Sequence, residues 1–214
     1  MAPEADPTLV TTRRSLHALA ARVVSPLRVQ ATGNEIALQV RPGGFGTPEL
    51  PEGGWVGTDG TDLVRIDADG ARDTTPITSL LDAADFAGLD DASSDLTDAP
   101  LEVHAGAAQV LADVWASGEE ALLAFGGEGA TPILWPEHFD VAIESGEATF
   151  GVSPGDDGHP EPYAYVSLWN GPPAGAATGP DTFWNATTFP GAERPWTNDV
   201  DELVAFFRAA RDAR

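Results

Sequence analysis

Residues 137–153 read Glu-His-Phe-Asp-Val-Ala-Ile-Glu-Ser-Gly-Glu-Ala-Thr-Phe-Gly-Val-Ser, two alternating segments on either side of Ser145-Gly146. A two-residue connection that contains glycine is typical of a tight β-hairpin, so we predict strands at 137–144 and 147–153. In that register His138 lies across from Ser153, and Asp140 lies across from Gly151. The opposite face is apolar and points to the core, and it carries Phe139, Val141, Ile143, Ala148, Phe150 and Val152.

A third strand is predicted at 163–169, after a loop rich in aspartate, glycine and proline at 154–162. Alternation would bury Ala164, Val166 and Leu168, so that Tyr163, Tyr165 and Trp169 join the face of His138 and Asp140. The hairpin returns the chain to the His138 end of the sheet, where Asp156, Asp157, His159 and Glu161 would gather. The sequence therefore predicts one polar and aromatic sheet face. The glycine beside Asp140 would leave room above it.

The first half of the chain predicts further hairpins. Residues 27–32 and 35–40 alternate around Gly33-Asn34, which predicts a hairpin with one apolar face. Residues 42–48 are predicted to be a loop, and short strands are predicted at 55–56, 63–66 and 74–77, with glycine turns between them.

Helical spacing of apolar residues predicts four helices, at 12–24, 79–89, 105–125 and 198–211. Residues 90–98 are predicted to be an acidic surface connection, and residues 170–197 a long loop rich in proline, glycine and asparagine. The predicted fold is α+β, an antiparallel sheet of hairpins packed against an N-terminal, a central and a C-terminal helix. No linker clearly divides the sequence, so residues 1–214 are predicted to form a single domain.

The charge of the chain is strongly negative, since 34 acidic residues outnumber 11 basic ones and give a net charge of -23. Such a charge repels a phosphate backbone and an anionic membrane surface, so we expect neither nucleic acid nor membrane as a partner. All basic residues are arginine, which points to the codon bias of a high-GC genome or to a salt-loving host. The absence of lysine removes Schiff-base chemistry.

The chain contains no cysteine, which excludes disulfides, thiolate metal ligands and a cysteine nucleophile. Residues 1–10 are acidic and lack a basic start followed by an apolar run, so we do not predict a secretory signal. No apolar run reaches the ~20 residues that a membrane-spanning helix needs. We therefore expect a cytoplasmic protein.

Three stretches resemble a known family. Leu134-Trp-Pro-Glu-His-Phe-Asp140, followed by Gly151-Val-Ser-Pro-Gly-Asp156 and His159-Pro-Glu-Pro-Tyr163, is similar to an uncharacterised family of mainly high-GC bacterial proteins. The resemblance covers about thirty residues closely and the N-terminal region more loosely. It implies an actinobacterial rather than a halophilic origin. The family has no assigned activity, so the resemblance implies no function.

Three functions are compatible with this sequence. The first is binding of a small organic ligand on the polar and aromatic face, with the 170–197 loop as a cover. Its predicted ligand-binding residues are Trp135, His138, Asp140, His159, Glu161, Tyr163 and Tyr165. The second is a metal-dependent hydrolase in which His138, Asp140 and His159 hold a divalent metal ion such as Zn²⁺ or Fe²⁺. The third is an acidic protein-interaction module.

A structural interpretation competes with the first two. His138 would then be a buried histidine with a hydrogen bond, and Asp156-Asp157-Gly158 an ordinary turn. Apart from the divalent metal ion of the second function, the sequence does not indicate a cofactor, and it indicates neither the reaction nor the oligomeric state.

Overall fold

The computed structural model describes residues 6–90 and 95–214 and confirms the predicted α+β class. The helices are α1 (Pro7–Leu19), α2 (Ser25–Thr32), α3 (Leu80–Ala87), α4 (Ala105–Gly126) and α5 (Val200–Asp212), with a π-helical turn at Ala20–Val24. The strands are β1 (Gln39–Arg41), β2 (Gly44–Gly46), β3 (Trp55–Asp59), β4 (Asp62–Ile66), β5 (Arg72–Pro76), β6 (Ile133–Trp135), β7 (Asp140–Glu144), β8 (Ala148–Ser153), β9 (Tyr163–Leu168) and β10 (Gly191–Pro195). Among the described helices, none has the length and apolar character to cross a membrane.

The chain divides into two compact units, which we describe separately. The first unit contains residues 1–113 and 134–139, and the second contains residues 114–133 and 140–214. The single domain over 1–214 remains a prediction. The strands form two antiparallel sheets, one of order β1-β2-β3-β4-β5 and one of order β10-β9-β8-β7-β6.

The first unit buries apolar side chains from its N-terminal helices and from its sheet. Leu16, Leu19 and Val23 of the helical segment are buried, as are Phe45 and Leu63 of the sheet. The first helix begins at Pro7 instead of at residue 12, because the Asp6 side chain accepts a hydrogen bond from the Thr8 amide and caps it. The predicted strands of residues 55–77 are confirmed as β3, β4 and β5.

The hairpin predicted at 27–40 is wrong, because residues 25–32 form helix α2. Pro26 lies in the first turn of this helix, directly after the π-helical turn, and its fixed φ is compatible with helical backbone. Gly33 has a φ of 94°, and its N–H donates to the carbonyl of Val29 at 2.7 Å, so it ends a helix and does not turn a hairpin. The positive φ that suggested a hairpin serves a helix end equally well.

A hairpin does follow, a few residues later than predicted. Strands β1 and β2 pair Gln39 with Gly46 and Arg41 with Gly44, so Pro42 and Gly43 form the turn. The prediction of a loop over 42–48 is therefore wrong for Gly44–Gly46. Phe45, between two glycines, is fully buried and anchors the strand in the core of the first unit.

The second unit packs helices against the apolar face of its sheet. Phe125 of α4, Phe150 of β8 and Phe207 of α5 form a cluster, with ring centroids 4.6 to 6.0 Å apart. Helix α4 approaches the sheet closely at Gly118. A Cβ at this position would lie only 2.9 Å from side-chain atoms of Val141 and Val152, so the approach requires glycine. The glycine in the middle of this predicted helix is thus a packing position.

The β7–β8 hairpin is confirmed, but its register differs from the predicted one by two positions. Val141 pairs with Val152 and Ile143 with Phe150. The reason is that Gly146 and Glu147 both have positive φ, 56° and 63°, so they form the two central residues of the turn in place of Ser145-Gly146. Because side chains alternate with a period of two, the shift leaves the faces of 140–144 and 148–153 as predicted.

Two predictions on connections also have an outcome. The 170–197 segment contains strand β10, which the loop prediction missed. Of the predicted acidic connection at 90–98, residues 91–94 lie outside the described residues.

The predicted helix at 79–89 is confirmed as α3, and those at 105–125 and 198–211 as α4 and α5.

Candidate functional site

Alternation in β8 and β9 brings the two tyrosines of the chain onto the polar face of the second sheet. Ala164, Val166 and Leu168 are buried, as predicted. Tyr163 pairs with Ser153, and Tyr165 pairs with Gly151. We use the name tyrosine face for the set formed by Asp140, Ser153, Tyr163, Tyr165, Glu193 and the adjoining His159.

Tyr165 lies over Gly151 and reaches the carboxylate of Asp140. A Cβ at Gly151 would be 2.6 Å from carbon atoms of the Tyr165 ring, so only glycine leaves space for the ring at this position. The Tyr165 hydroxyl donates a hydrogen bond to Oδ2 of Asp140, which is only 4% exposed. The room predicted above Gly151 is therefore filled by the protein's own tyrosine.

The loop before β9 folds back onto Tyr163. Asp156 accepts hydrogen bonds from the amides of Gly158 and His159 at 2.6 and 2.7 Å, which closes a tight turn. The Tyr163 hydroxyl donates to the other Asp156 oxygen at 3.3 Å. The His159 ring lies parallel to the Tyr163 ring, with centroids 4.2 Å apart and an angle of 6° between planes. Together these contacts fix the imidazole at the edge of the sheet.

Strand β10 adds a second carboxylate to this edge. Glu193 pairs with Tyr165, and one of its carboxylate oxygens is 4.0 Å from Nδ1 of His159. The Asn185 side chain holds the backbone of Glu193 by two hydrogen bonds, of 3.0 and 2.9 Å. The neighbouring Arg194 points to the other face, where it binds Glu202 at 2.9 Å. The tyrosine face is therefore acidic, with histidine as its basic group.

Burial controls the protonation of both tyrosines. It raises the pKa of Tyr163 to about 12. Burial and the negative charge of Asp140 raise the pKa of Tyr165 well above its usual value. Both hydroxyls are neutral at physiological pH, as an ordinary tyrosine is, and the raised pKa values keep them protonated well into the alkaline range as hydrogen-bond donors. A phenol of this kind can orient a ligand, but it is a poor general base or nucleophile.

The structure places the predicted site residues in two groups. Asp140, His159, Tyr163 and Tyr165 come together in the second unit, as the contacts above describe. His138 and Trp135 belong to the first unit. The prediction that His138 shares a strand face with Asp140 is wrong, because Phe139 has a φ of 60° and β7 begins at Asp140. His138 is an exposed turn residue, which also contradicts the interpretation as a buried histidine. Glu161 is half-buried in the loop before β9.

A metal centre is not assembled by the residues that the structure describes. Within 6–90 and 95–214, no three histidine or carboxylate side chains come together as they would around a metal ion. The predicted set of His138, Asp140 and His159 therefore has no geometric support there. Asp140 instead holds the Tyr165 hydroxyl, and His159 stacks on Tyr163.

Sequence reasoning missed Glu193 and the role of Ser153. Ser153 is buried, and its hydroxyl accepts a hydrogen bond from the amide of Gly155 at 3.1 Å, which starts the loop toward His159. Glu193 lies in a Gly-Ala-Glu-Arg-Pro strand without the alternation of β-branched residues that predicts strands. Only the pairing with β9 reveals that this glutamate faces the tyrosines.

Phe189, in the long loop before β10, contacts Tyr165 edge-on at 5.9 Å. The role of the 170–197 loop as a cover over the face remains a prediction. Comparison with protein-family models, with curated proteins and with solved structures gave no match for this chain.

Proposed function

We propose that the protein binds a small organic ligand at the tyrosine face. The observation that carries the proposal is the convergence of polar and aromatic side chains from three strands and one loop at one end of a sheet face. Asp140, Tyr163, Tyr165 and Glu193 come from the strands, and His159 comes from the loop. Sites for small molecules combine aromatic surface with a few convergent polar groups in this way.

The exposed part of the face is the His159–Tyr163 stack. The side chain of His159 is 37% exposed, and that of Glu193 is 24% exposed. A ligand can therefore stack on the imidazole while it forms a hydrogen bond with the Glu193 carboxylate. Tyr165 and Asp140 lie deeper and hold the sheet face in shape.

The chemistry of these groups favours binding over catalysis. The tyrosines are held neutral, and Asp140 is engaged by a hydroxyl. The groups that a ligand can reach are donors, acceptors and a flat aromatic surface. Such groups give orientation and selectivity without a bond-making step.

A fragment screen by NMR tests the proposal. The ¹⁵N-labelled full chain is titrated with planar heteroaromatic fragments that carry a hydrogen-bond donor, and backbone shifts are followed. We expect binders with a Kd on the order of 1 mM, and shifts centred on β9, β10 and residues 156–160. His159→Gln should weaken these binders several-fold, because it removes the stacked ring.

The matched control is His104→Gln, which replaces an exposed histidine of the first unit. This variant should bind the same fragments as the unmodified chain. Shifts that are absent from β9 and β10 for every fragment, or that are equal in His159→Gln and His104→Gln, would contradict the proposal.

A further inference from the structure

A groove in the first unit is a separate candidate for ligand binding. Its volume is about 340 Å³, within the range of small-molecule sites. One side is helical and consists of Ala21, Ser25, Pro26 and Val29. The other side consists of Ile36, Pro136 and Glu137. No residue of the tyrosine face takes part.

The helical side is concave for a local reason. Ala21 and Ser25 are small and lie four residues apart, so both side chains point to the same side of the helix. The π-helical turn Ala20–Val24 precedes Pro26, and the Ser25 amide donates to the carbonyl of Ala20, five residues back. Such π turns occur often at functional sites, and they also accommodate a local disturbance such as a proline. The turn widens the helix where the groove begins.

The polar atoms of the groove are largely engaged by the protein. The Ser25 hydroxyl donates to the carbonyl of Ile36 at 2.9 Å. The carbonyl of Pro136 is 2.9 Å from Nε2 of His17 and accepts its N–H. Burial lowers the pKa of His17, which favours the neutral ring, and the Nε2–H stays available to the Pro136 carbonyl. Glu137 is the charged residue of the lining, and it is exposed.

We propose that this groove binds a small organic cation: an ammonium or amidinium group on a short aliphatic or phenyl body. The apolar body matches the alanine, valine, isoleucine and proline surface, and the cation matches the Glu137 carboxylate. The net charge of -23 also attracts a cation to the protein. An anionic ligand would be repelled by the Glu137 carboxylate, and a strongly polar ligand would not match the apolar surface of the groove.

Phenylethylammonium is the probe, and phenylethanol and phenylpropanoate are its neutral and anionic counterparts. Each is titrated into the ¹⁵N-labelled full chain. We expect shifts of the backbone signals of Ala21, Val29 and Ile36, with the ammonium bound about two- to fivefold more tightly than the alcohol, as an exposed ion pair contributes. The carboxylate should bind most weakly.

Glu137→Gln should remove the preference for the ammonium while the alcohol binds as before. Glu128→Gln, at an exposed glutamate of the second unit, is the matched control and should keep the preference. Ala21→Leu fills the groove from an exposed helical position and should abolish binding of all three probes.

Three results would overturn the inference: no shifts at Ala21, Val29 and Ile36 with any probe, a preference for the ammonium that persists in Glu137→Gln, or shifts confined to β9 and β10. The last result would still agree with a ligand at the tyrosine face, so the two proposals fail separately.

Discussion

Gly33 and Gly146 both have a positive φ, yet one ends a helix and the other turns a hairpin. Gly33 follows α2, and its amide donates to the carbonyl of Val29. Gly146 lies between β7 and β8, and the residue after it, Glu147, also has a positive φ. A glycine of this kind therefore marks the end of an element without indicating its type. The surfaces that the flanking residues bury decide between helix and strand.

The largest expected effect is at the packing of α4 against the β7–β8 hairpin. Gly118→Leu should lower the free energy of unfolding by about 3 kcal/mol, because its side chain meets Val141 and Val152 with no room to move. Gly106→Leu is the matched control on the same helix, since nothing lies within 4 Å of a Cβ there. Urea unfolding of the two variants is compared. Equal stability of both would show that the close approach does not support the hairpin.

The polar face of the same hairpin should have the next largest effect. Tyr165→Phe removes a hydrogen bond to a buried carboxylate and should cost about 1.5–3 kcal/mol in the free energy of unfolding. Tyr163→Phe removes a 3.3 Å hydrogen bond to the exposed Asp156 and the interaction with the Ser153 hydroxyl, and its cost should be about 1 kcal/mol. Calorimetry or urea unfolding measures both. A larger loss of unfolding free energy for Tyr163→Phe than for Tyr165→Phe would contradict the conclusion that the Tyr165–Asp140 hydrogen bond contributes most to the stability of this face.

A smaller effect is expected at alkaline pH. The folded state raises the pKa of Tyr163 to about 12 and that of Tyr165 well above its usual value. Their contribution to stability is therefore complete below the unfolded value near pH 10 and is lost as the pH rises through the folded values. The chain has two tyrosines and neither cysteine nor lysine, so these phenols dominate titration in this range. Unfolding from about pH 8 to about pH 11 should show stability falling above pH 10. The double variant Tyr163→Phe, Tyr165→Phe should show a nearly flat profile.

The smallest effect tests the helix that ends at Gly33. Ala31 is exposed in α2, and Ala31→Val should destabilise the protein by about 0.5 kcal/mol, because valine loses side-chain freedom in a helix. A strand at this position would be stabilised by the same substitution. Ala205→Val, at an exposed position of α5, is the control and should also destabilise. Opposite signs for the two variants would exclude a helix at residues 25–32.

The sequence predicted an element correctly where the periodicity of its apolar residues matches the surface that the element buries in the folded protein. The β7–β8 hairpin, the burial of Ala164, Val166 and Leu168, and helix α5 follow from periodicity, because each presents a continuous apolar face. The 27–32 segment also alternates, but Leu27 and Val29 lie in helix α2 of the first unit, and Leu27 is buried there. Alternation over six residues is too short to separate the two structures. Strand β10 had no periodic signal, and its pairing with β9 depends on the whole sheet.

The sequence by itself determined the α+β class, the acidic character and the two tyrosines on one polar strand face. It determined these because composition and side-chain alternation are local properties of the chain. Only the tertiary structure decided that Phe139 turns the chain away before β7, and that Glu193 joins His159. These positions depend on backbone angles and on strand pairing over long sequence distances. No local pattern of residues encodes such pairings, since their free energy comes from surfaces that meet only in the folded protein.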